Sequence, residues 1–456
     1  MDIHEKIKDH IYTHKEEIVK HLAELVAIES VRMPPEEGPF GANTKKALYA
    51  MKAICDEMGF KTTVYENAVL CADYGEEPEL GILAHLDVVP VGAANRDNWA
   101  TNPFELTEKD GVLYGRGAID DKGPAVAALW ALKCVKELGI PLKKGVRLIF
   151  GTDEENGSED LEIYKKYDKF PPKVFTPDGS FPVINIEKGM LRLYFEGEFK
   201  SGKVLLFEGG SVPNAVPDRA HAQLNPTLRA DVEREIGSVS GAEFSVGEVS
   251  EHVEIASRGK AAHASTPEAG VNAITALIAL LNRVTDEPIL RGLGRLFPFG
   301  ETDGAALGLK CADESGALTC VLSQIVTGPG VISGTVDIRF PTCTSLEFVK
   351  GKLTSALEDI GLKHRVLIGD EPHVVPEDSE FVQSLLSVYE RVEGEKGRCI
   401  AIGGGTYVHN IEGGVAFGAE RGDTDYHMHG DNEFITVEEL LKDAVLFAEV
   451  IAELLK

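Results

Sequence analysis

The sequence predicts an α/β domain built on a mixed, mostly parallel sheet flanked by helices, interrupted by an inserted α+β domain. Three observations carry that expectation. The chain has 456 residues, more than the roughly 100–200 of one ordinary domain. Three short apolar runs, separated by helical patterns, each end in polar residues, as strands of an open α/β sheet do at their site-bearing carboxyl ends. From about Glu187 the texture changes to the alternation of half-buried antiparallel strands. The expected division is 1–187 and 374–456 for the α/β domain, with 188–373 inserted.

The elements follow in order. Ile7, Ile11, Ile18, Leu22, Leu25 and Val26 recur at helical spacing, so the charged start MDIHEKIKDHIYTHKEEIVKHL reads as an amphipathic helix. Thr44–Met58 repeats the pattern, with Gly59 at the place of a helix C-terminal cap. A strand-like run at Thr62–Val64 precedes Leu80–Ala84, which ends in His85-Leu86-Asp87. Gly123-Pro124 opens an apolar helix through Leu138, with Pro124 suited to a first turn. Val146–Phe150 is a buried strand ending in Thr152-Asp153-Glu154-Glu155, and Val174–Thr176 another ending in Pro177-Asp178-Gly179. In the insert, LRLYFEGEF, HAQLNPTLRADV, EHVEIASRGK and GTVDIRFP alternate, with helices at Asn272–Val284 and Leu346–Ile360. The α/β texture returns with a helix at Phe381–Val392, the run Gly403-Gly404-Gly405, a strand at Gly414–Gly418, a loop holding His427 and His429, and a helix from Glu438 to Leu455.

Composition excludes some functions. A net charge of -28 repels nucleic acid and anionic membrane surfaces. No window reaches the ~18 consecutive apolar residues of a membrane span, and the start lacks the apolar centre of a signal peptide. Seven scattered cysteines without a CxxC pair fit reduced thiols in a cytosol. A cytoplasmic enzyme is the expectation. The short glycine pieces GRG, GGG and GPG read as turns, not as a nucleotide cradle.

Five segments carry chemistry. In an extended segment His85 and Asp87 point to the same side, and a carboxylate beside an imidazole orients a metal-ligating ring; a hydrogen-bonded strand-end pair is the plain alternative. Asp120 lies in Gly115–Gly123, where a carboxylate between tight turns can bridge two cations, or only cap the next helix. Adjacent Glu154 and Glu155 repel unless a cation sits between them, and their divergent directions let one bind metal while the other faces a water; an exposed acidic turn would look the same. Asp178 sits in an Asp-Gly turn, and His427 and His429 in a loop. Singly, each is ordinary. Together they supply two histidines and three carboxylates, enough for two ions sharing one carboxylate and a water. Nitrogen and oxygen donors without cysteine suit zinc and tolerate manganese or cobalt.

The chain resembles the zinc peptidase superfamily of aminoacylases and carboxypeptidase G, and within it the bacterial PepV-type dipeptidases. The resemblance rests on GILAHLDVVPVG, NWATNPFE, DGVLYGRGAIDDKGP, RLIFGTDEENGSED, FTPDGSFPVINIEKG, SVPNAVP, GKAAHASTPEAGVNAI, DIRFP and GGGTY, in order across nearly the whole chain. It implies His85, Asp120, Glu155, Asp178 and His429 as metal ligands, with Asp120 bridging and a cis peptide following it. It implies Asp87 as the group orienting His85 and Glu154 as general base. From the insert, a lid in this family, it implies His263 for oxyanion stabilisation, Asn214 and Arg339 for the substrate and its terminal carboxylate, and domain closure to complete the site. An enlarged lid replaces a partner subunit in the PepV type, so a monomer is expected. The implied activity is hydrolysis of short peptides, above all dipeptides with a free carboxyl terminus. An N-acyl-amino-acid deacylase or aminotripeptidase shares the same motifs, and a non-catalytic metal- or peptide-binding protein is the rival of another class. Two positions depart from the pattern. His409 stands where the family commonly has an arginine after GGGTY. In HMHGDNE, His429 keeps the spacing to Asn432 and Glu433, so His427 is left as a loop residue.

Overall fold

Strand-end chemistry depends on which strand ends lie side by side, and the pairings settle that. The computed structural model describes residues 2–35, 37–92, 96–249, 251–422 and 424–456. The chain divides into two units: Met1–Ile186, Val374–Ile400 and Thr406–Lys456 form the first, Glu187–His373 and Ala401–Gly405 the second. The glycine-rich segment 401–405, expected with the first unit, thus groups with the second: Lys188 N donates to Ile402 O, and Gly403 O accepts from Arg339.

The first unit is built on a mixed sheet. Its strands include β1 (Lys61–Tyr65), β2 (Val69–Tyr74), β3 (Pro78–His85), β4 (Gly145–Gly151), β5 (Lys173–Thr176), β6 (Val183–Glu187) and β7 (Val415–Ala416), in the order β1-β2-β4-β3-β5-β7-β6. Parallel pairing is confined to the middle, where β3 lies between β4 and β5 and β7 runs beside β5. Antiparallel strands flank it on both sides. The register sets His85 opposite Gly151 and Ala416 opposite Thr176, so the carboxyl ends that release His85, Asp153 and Asp178 fall at one edge.

Two of the helices packed with this sheet are themselves largely buried. Helix α1 (Lys122–Glu137) is apolar almost all round and has Trp130 and Leu129 fully buried; it packs against α2 (Val437–Leu454), which starts with a Thr436/Glu439 capping box. Lys122 Nζ, wholly buried, donates to Leu25 O at 3.0 Å and Ile28 O at 2.8 Å, satisfying carbonyls at the end of helix Lys15–Val26. The amino-terminal pattern forms two helices, Ile3–Thr13 and Lys15–Val26, instead of one. The break is at His14, whose ring bonds back to His10 O at 2.8 Å and competes with the helical ladder.

The second unit holds an eight-stranded antiparallel sheet, in the order Glu243–Val249, His252–Arg258, Arg219–Leu224, Val204–Gly209, Thr319–Gly328, Val331–Phe340, Gly189–Glu198 and Lys363–Asp370. Helices Ala273–Val284, Pro288–Leu296 and Leu346–Asp359 pack their apolar faces into its core. The stretch HAQLNPTLRADV is strand only to Leu224. Asn225 then caps a turn with Pro226 in its first position, and Arg229–Glu235 is helical. Among the described residues no helix is long and apolar enough to cross a membrane.

Candidate metal centre

Five segments of the first unit converge at the carboxyl edge of its sheet. His85 Nε2 lies 3.0 Å from Asp120 Oδ1 and 3.7 Å from Asp178 Oδ2. On the other side of Asp120, its Oδ2 is 2.9 Å from His429 Nε2, which is 3.3 Å from Glu155 Oε2. Two triads, His85/Asp120/Asp178 and Asp120/Glu155/His429, therefore share Asp120. These separations bracket the ligand–ligand edge of about 3.3–3.6 Å that tetrahedral bonds of about 2.0–2.2 Å give.

Hydrogen bonds fix the orientation of these donors. His85 Nδ1 faces Asp87 O at 3.0 Å. A carbonyl only accepts, so Nδ1 carries the proton and Nε2 turns its lone pair toward Asp120 and Asp178. The Asp87 carboxylate is 3.4 Å from the same nitrogen, and its oxygens accept from Glu154 N and Glu155 N, both at 3.2 Å. Asp87 thereby holds the short turn bearing both glutamates. Asp120–Asp121 is a cis peptide, and Asp121 Oδ2 accepts from His85 N at 3.0 Å.

The electrostatics are those of an excess of carboxylate. Burial, and next Asp120, pushes Asp178 up to about 7. Burial and Asp178 hold Glu154 well above the usual carboxylate range, and burial and Asp120 raise Glu155. Hydrogen bonds to Asp120 and Glu155 raise His429 to about 11. One oxygen of Glu155 is buried without a partner among the described residues. Crowded carboxylates, an orphaned buried oxygen and two imidazole nitrogens form a donor set that fits divalent cations.

Several residues to which the motifs assign no role support the centre. Glu433, fully buried, accepts from Ile119 N (3.1 Å) and Asp120 N (3.3 Å), and pairs with Arg116 at 2.5 Å. Only its fixed spacing from His429 hinted at a role. Asp160 accepts from Thr152 N, Asp153 N and Tyr407 Oη, behind the glutamate turn. A Cβ at Gly151 would collide with Tyr407 Oη and Asp160 Oδ2, so only glycine permits this approach. His427 stays within its loop, with Nδ1 on Asp431 O at 2.9 Å. His427, His429 and Asn432 all have left-handed backbone, φ +57°, +59° and +63°, a conformation non-glycine residues rarely adopt. Asn432 Oδ1 accepts from Ala100 N at 2.7 Å and Arg116 donates to Gly430 O at 3.0 Å, which hold the loop in place. His409 N donates to Thr406 O within the loop after the glycine run.

The second unit brings His263, Asn214 and Arg339 together. His263 pairs with Ala215 in a two-residue ribbon, and Ala264 N donates to Asn214 O at 2.9 Å. Thr319, opposite Arg339 in the sheet, donates its hydroxyl to Ala264 O. Ser265 N donates to His263 Nδ1 at 3.3 Å, so in the neutral ring Nε2 is the nitrogen that bears hydrogen. Arg339, 3% exposed, is clamped by Asp337, with Nε to Oδ1 at 2.6 Å, and reaches Gly403 O at 3.1 Å. Arg192 donates to the same Asp337 at 2.8 and 3.0 Å.

The profile of peptidase family M20/M25/M40 matches residues 81–453 of this chain. A Bacillus subtilis (strain 168) protein named "Putative dipeptidase YtjP" is 33% identical over 97% of this chain and 98% of its own length. A Staphylococcus aureus (strain bovine RF122 / ET3-1) relative named "Putative dipeptidase SAB1611c" is 30% identical over 98% and 99%. Among solved structures, human carnosine dipeptidase 1 shares the fold with a TM-score of 0.61 at 20% identity, covering 99% of both chains. The dipeptidase Dug1p of Saccharomyces cerevisiae does so with 0.62 at 14% identity, over 99% of this chain and 98% of its own.

Proposed function

The chain belongs to peptidase family M20/M25/M40 and is a metallopeptidase, and we propose that it cleaves dipeptides with a free carboxyl terminus at a centre of two divalent cations. The observation that carries this reading is the pair of His/carboxylate triads sharing Asp120, with the glutamate pair on the adjoining turn. His85, Asp120 and Asp178 would hold one ion, and Asp120, Glu155 and His429 the other. The all-nitrogen-and-oxygen set favours zinc. Cations held there would supply a water of lowered pKa and a Lewis acid for the scissile carbonyl.

The remaining chemistry is done by side chains. Glu154, on the turn organised by Asp87, takes the proton of the attacking water and returns it to the leaving amine. Its raised pKa, caused by burial and Asp178, suits a group that must hold a proton between the two steps. His263, with Nε2 as donor, stabilises the oxyanion. Asn214 binds the substrate, and Arg339 its terminal carboxylate, for which a planar guanidinium supplies parallel donors. A requirement for that carboxylate near the scissile bond restricts the enzyme to very short peptides. We further propose a monomer that works in the cytoplasm and binds neither nucleic acid nor membranes, consistent with the net charge of -28.

The test is hydrolysis by metal-stripped protein of a panel of dipeptides, tripeptides and N-acetyl amino acids, with zinc, manganese or cobalt restored in turn. Metal-dependent turnover concentrated on dipeptides supports the reading. Preference for acetylated substrates or tripeptides would make the chain a deacylase or an aminotripeptidase, and metal binding without turnover a binding protein.

A further inference from the structure

A second constellation of metal-ligating side chains lies in the first unit, away from the residues assigned above. His10 and His14 stand one helical turn apart at the end of helix Ile3–Thr13, their ring centroids 4.5 Å apart. They meet Glu137 at the carboxyl end of α1, and ligand atoms of all three lie within 4.8 Å of one another.

The bonding of each group leaves a lone pair to share. His14 Nδ1 sits 2.8 Å from His10 O. A carbonyl cannot donate, so Nδ1 bears the proton and the Nε2 lone pair is left for a cation. His10 Nε2 is buried and has no hydrogen-bond partner among the described residues, although Glu137 Oε2 is only 3.1 Å away. A contact that close but misaligned for a hydrogen bond has the length of a coordination edge, like those of the Asp120 triads. The other Glu137 oxygen faces Lys133 Nζ at 3.9 Å, and that ammonium is itself drawn over the Trp130 ring at 4.1 Å. Glu137 can thus offer Oε2 while Lys133 balances Oε1. Burial, and next His14, lowers the pKa of His10, which keeps its nitrogen available near neutral pH.

We propose that His10, His14 and Glu137 form a further divalent-cation site, of the zinc class, that clamps the first helix to the carboxyl end of α1. Two imidazoles and one carboxylate supply three of four tetrahedral positions with water as the fourth, so the ion is held less tightly than in a centre closed by four protein ligands. The role is structural, since none of the three residues belongs to the hydrolytic machinery.

The experiment is a count of bound zinc after dialysis against low-micromolar zinc, by atomic emission, on the wild type, on H10A/H14A and on Glu137→Gln. The second variant alters a side chain 42% exposed and is not expected to disturb folding. The wild type should retain one more zinc ion per chain than H10A/H14A, and Glu137→Gln should release that extra ion at least tenfold more readily. Dipeptide turnover should be unchanged in both. Equal counts in the wild type and both variants would overturn the site. A difference of one ion supports it whether or not dipeptides are cleaved, so its failure is separable from failure of the dipeptidase reading.

Discussion

The carboxylates of the candidate metal centre in the first unit and two carboxylates of the second, Asp337 and Asp313, are held in opposite ways. In the first, Asp178, Glu154 and Glu155 are pushed upward by burial and by neighbouring carboxylates, Asp120 among them, and one oxygen of Glu155 has no partner among the described residues. In the second, Asp337 is enclosed by the guanidinium groups of Arg192 and Arg339. Asp313 accepts from Ser315, from Thr342 and from Cys343 N. A carboxylate cluster with too few donors is unfinished and calls for cations. One with its donors already in place is a scaffold that aims a charge, here Arg339. On the proposed reading chemistry falls to the first unit and recognition to the second, and substitutions can break that division.

The largest effect should come from Glu154. Glu154→Gln removes the proton carrier and leaves both triads intact. Turnover should fall by about 10²–10⁴-fold while metal content, measured on the dialysed protein, stays at the wild-type value. Retained turnover with full metal would remove Glu154 from the mechanism.

Next is the scaffolded charge. Arg339→Ala should cost about 2–4 kcal/mol in kcat/KM on free dipeptides, the range for deleting one partner of a buried charge pair. Amidated dipeptides, which present no carboxylate, should be affected far less. Equal losses on both would mean that Arg339 serves the fold through Asp337 and not the substrate.

A smaller effect is expected from the support beneath the bridging carboxylate. Glu433→Gln keeps an acceptor for Ile119 N and Asp120 N but removes the charge that pairs with Arg116. Metal affinity, from competition with a chelator, should weaken by about 10–100-fold, as for other outer-shell partners, with kcat on the fully loaded enzyme nearly unchanged.

These cases also mark what could be read from the sequence. The strand ends at His85, Asp153 and Asp178 were legible because each motif is continuous, with an apolar run leading directly into its polar residues. Their convergence follows from parallel register, which the alternation of strand and helix implies. The support of Asp120 by Glu433 was not legible, because the two are 313 positions apart and no local pattern links them. Asp337 is different: it sits two positions before Arg339 on one strand, hence on the same face, and that spacing could have named it. The break at His14 escaped for another reason. Apolar periodicity continues through it, and only a side-chain bond to His10 O interrupts the backbone. Strands Val204–Gly209 and Thr319–Gly328, with the edges Glu243–Val249 and Lys363–Asp370, were likewise not singled out by alternation alone.

The smallest expected effect tests the scaffolded side by pH. Burial raises the Asp313 carboxyl, but donors from Ser315 and Thr342 outweigh it and bring the pKa down to about 2, from 3.8. A depressed carboxylate pKa favours the folded state above the unfolded value, and that contribution disappears as pH falls through the folded value. Asp313→Asn should therefore be less stable than wild type at pH 5–7, by about 1–2 kcal/mol for charge-assisted hydrogen bonds in a partly solvated loop. In urea titrations the deficit should shrink as pH falls from 4 to 2 and vanish only below pH 2, where the wild-type carboxylate is itself protonated. A deficit that does not change with pH would trace the loss to loop packing and not to the carboxylate charge. The same titration of metal-stripped wild type against Asp178→Asn should run the other way between pH 4 and pH 7, because Asp178, raised to about 7 by burial and Asp120, opposes folding as it ionises. Opposite slopes from carboxylates of one chain would be the direct measure of which unit is built to be completed by cations.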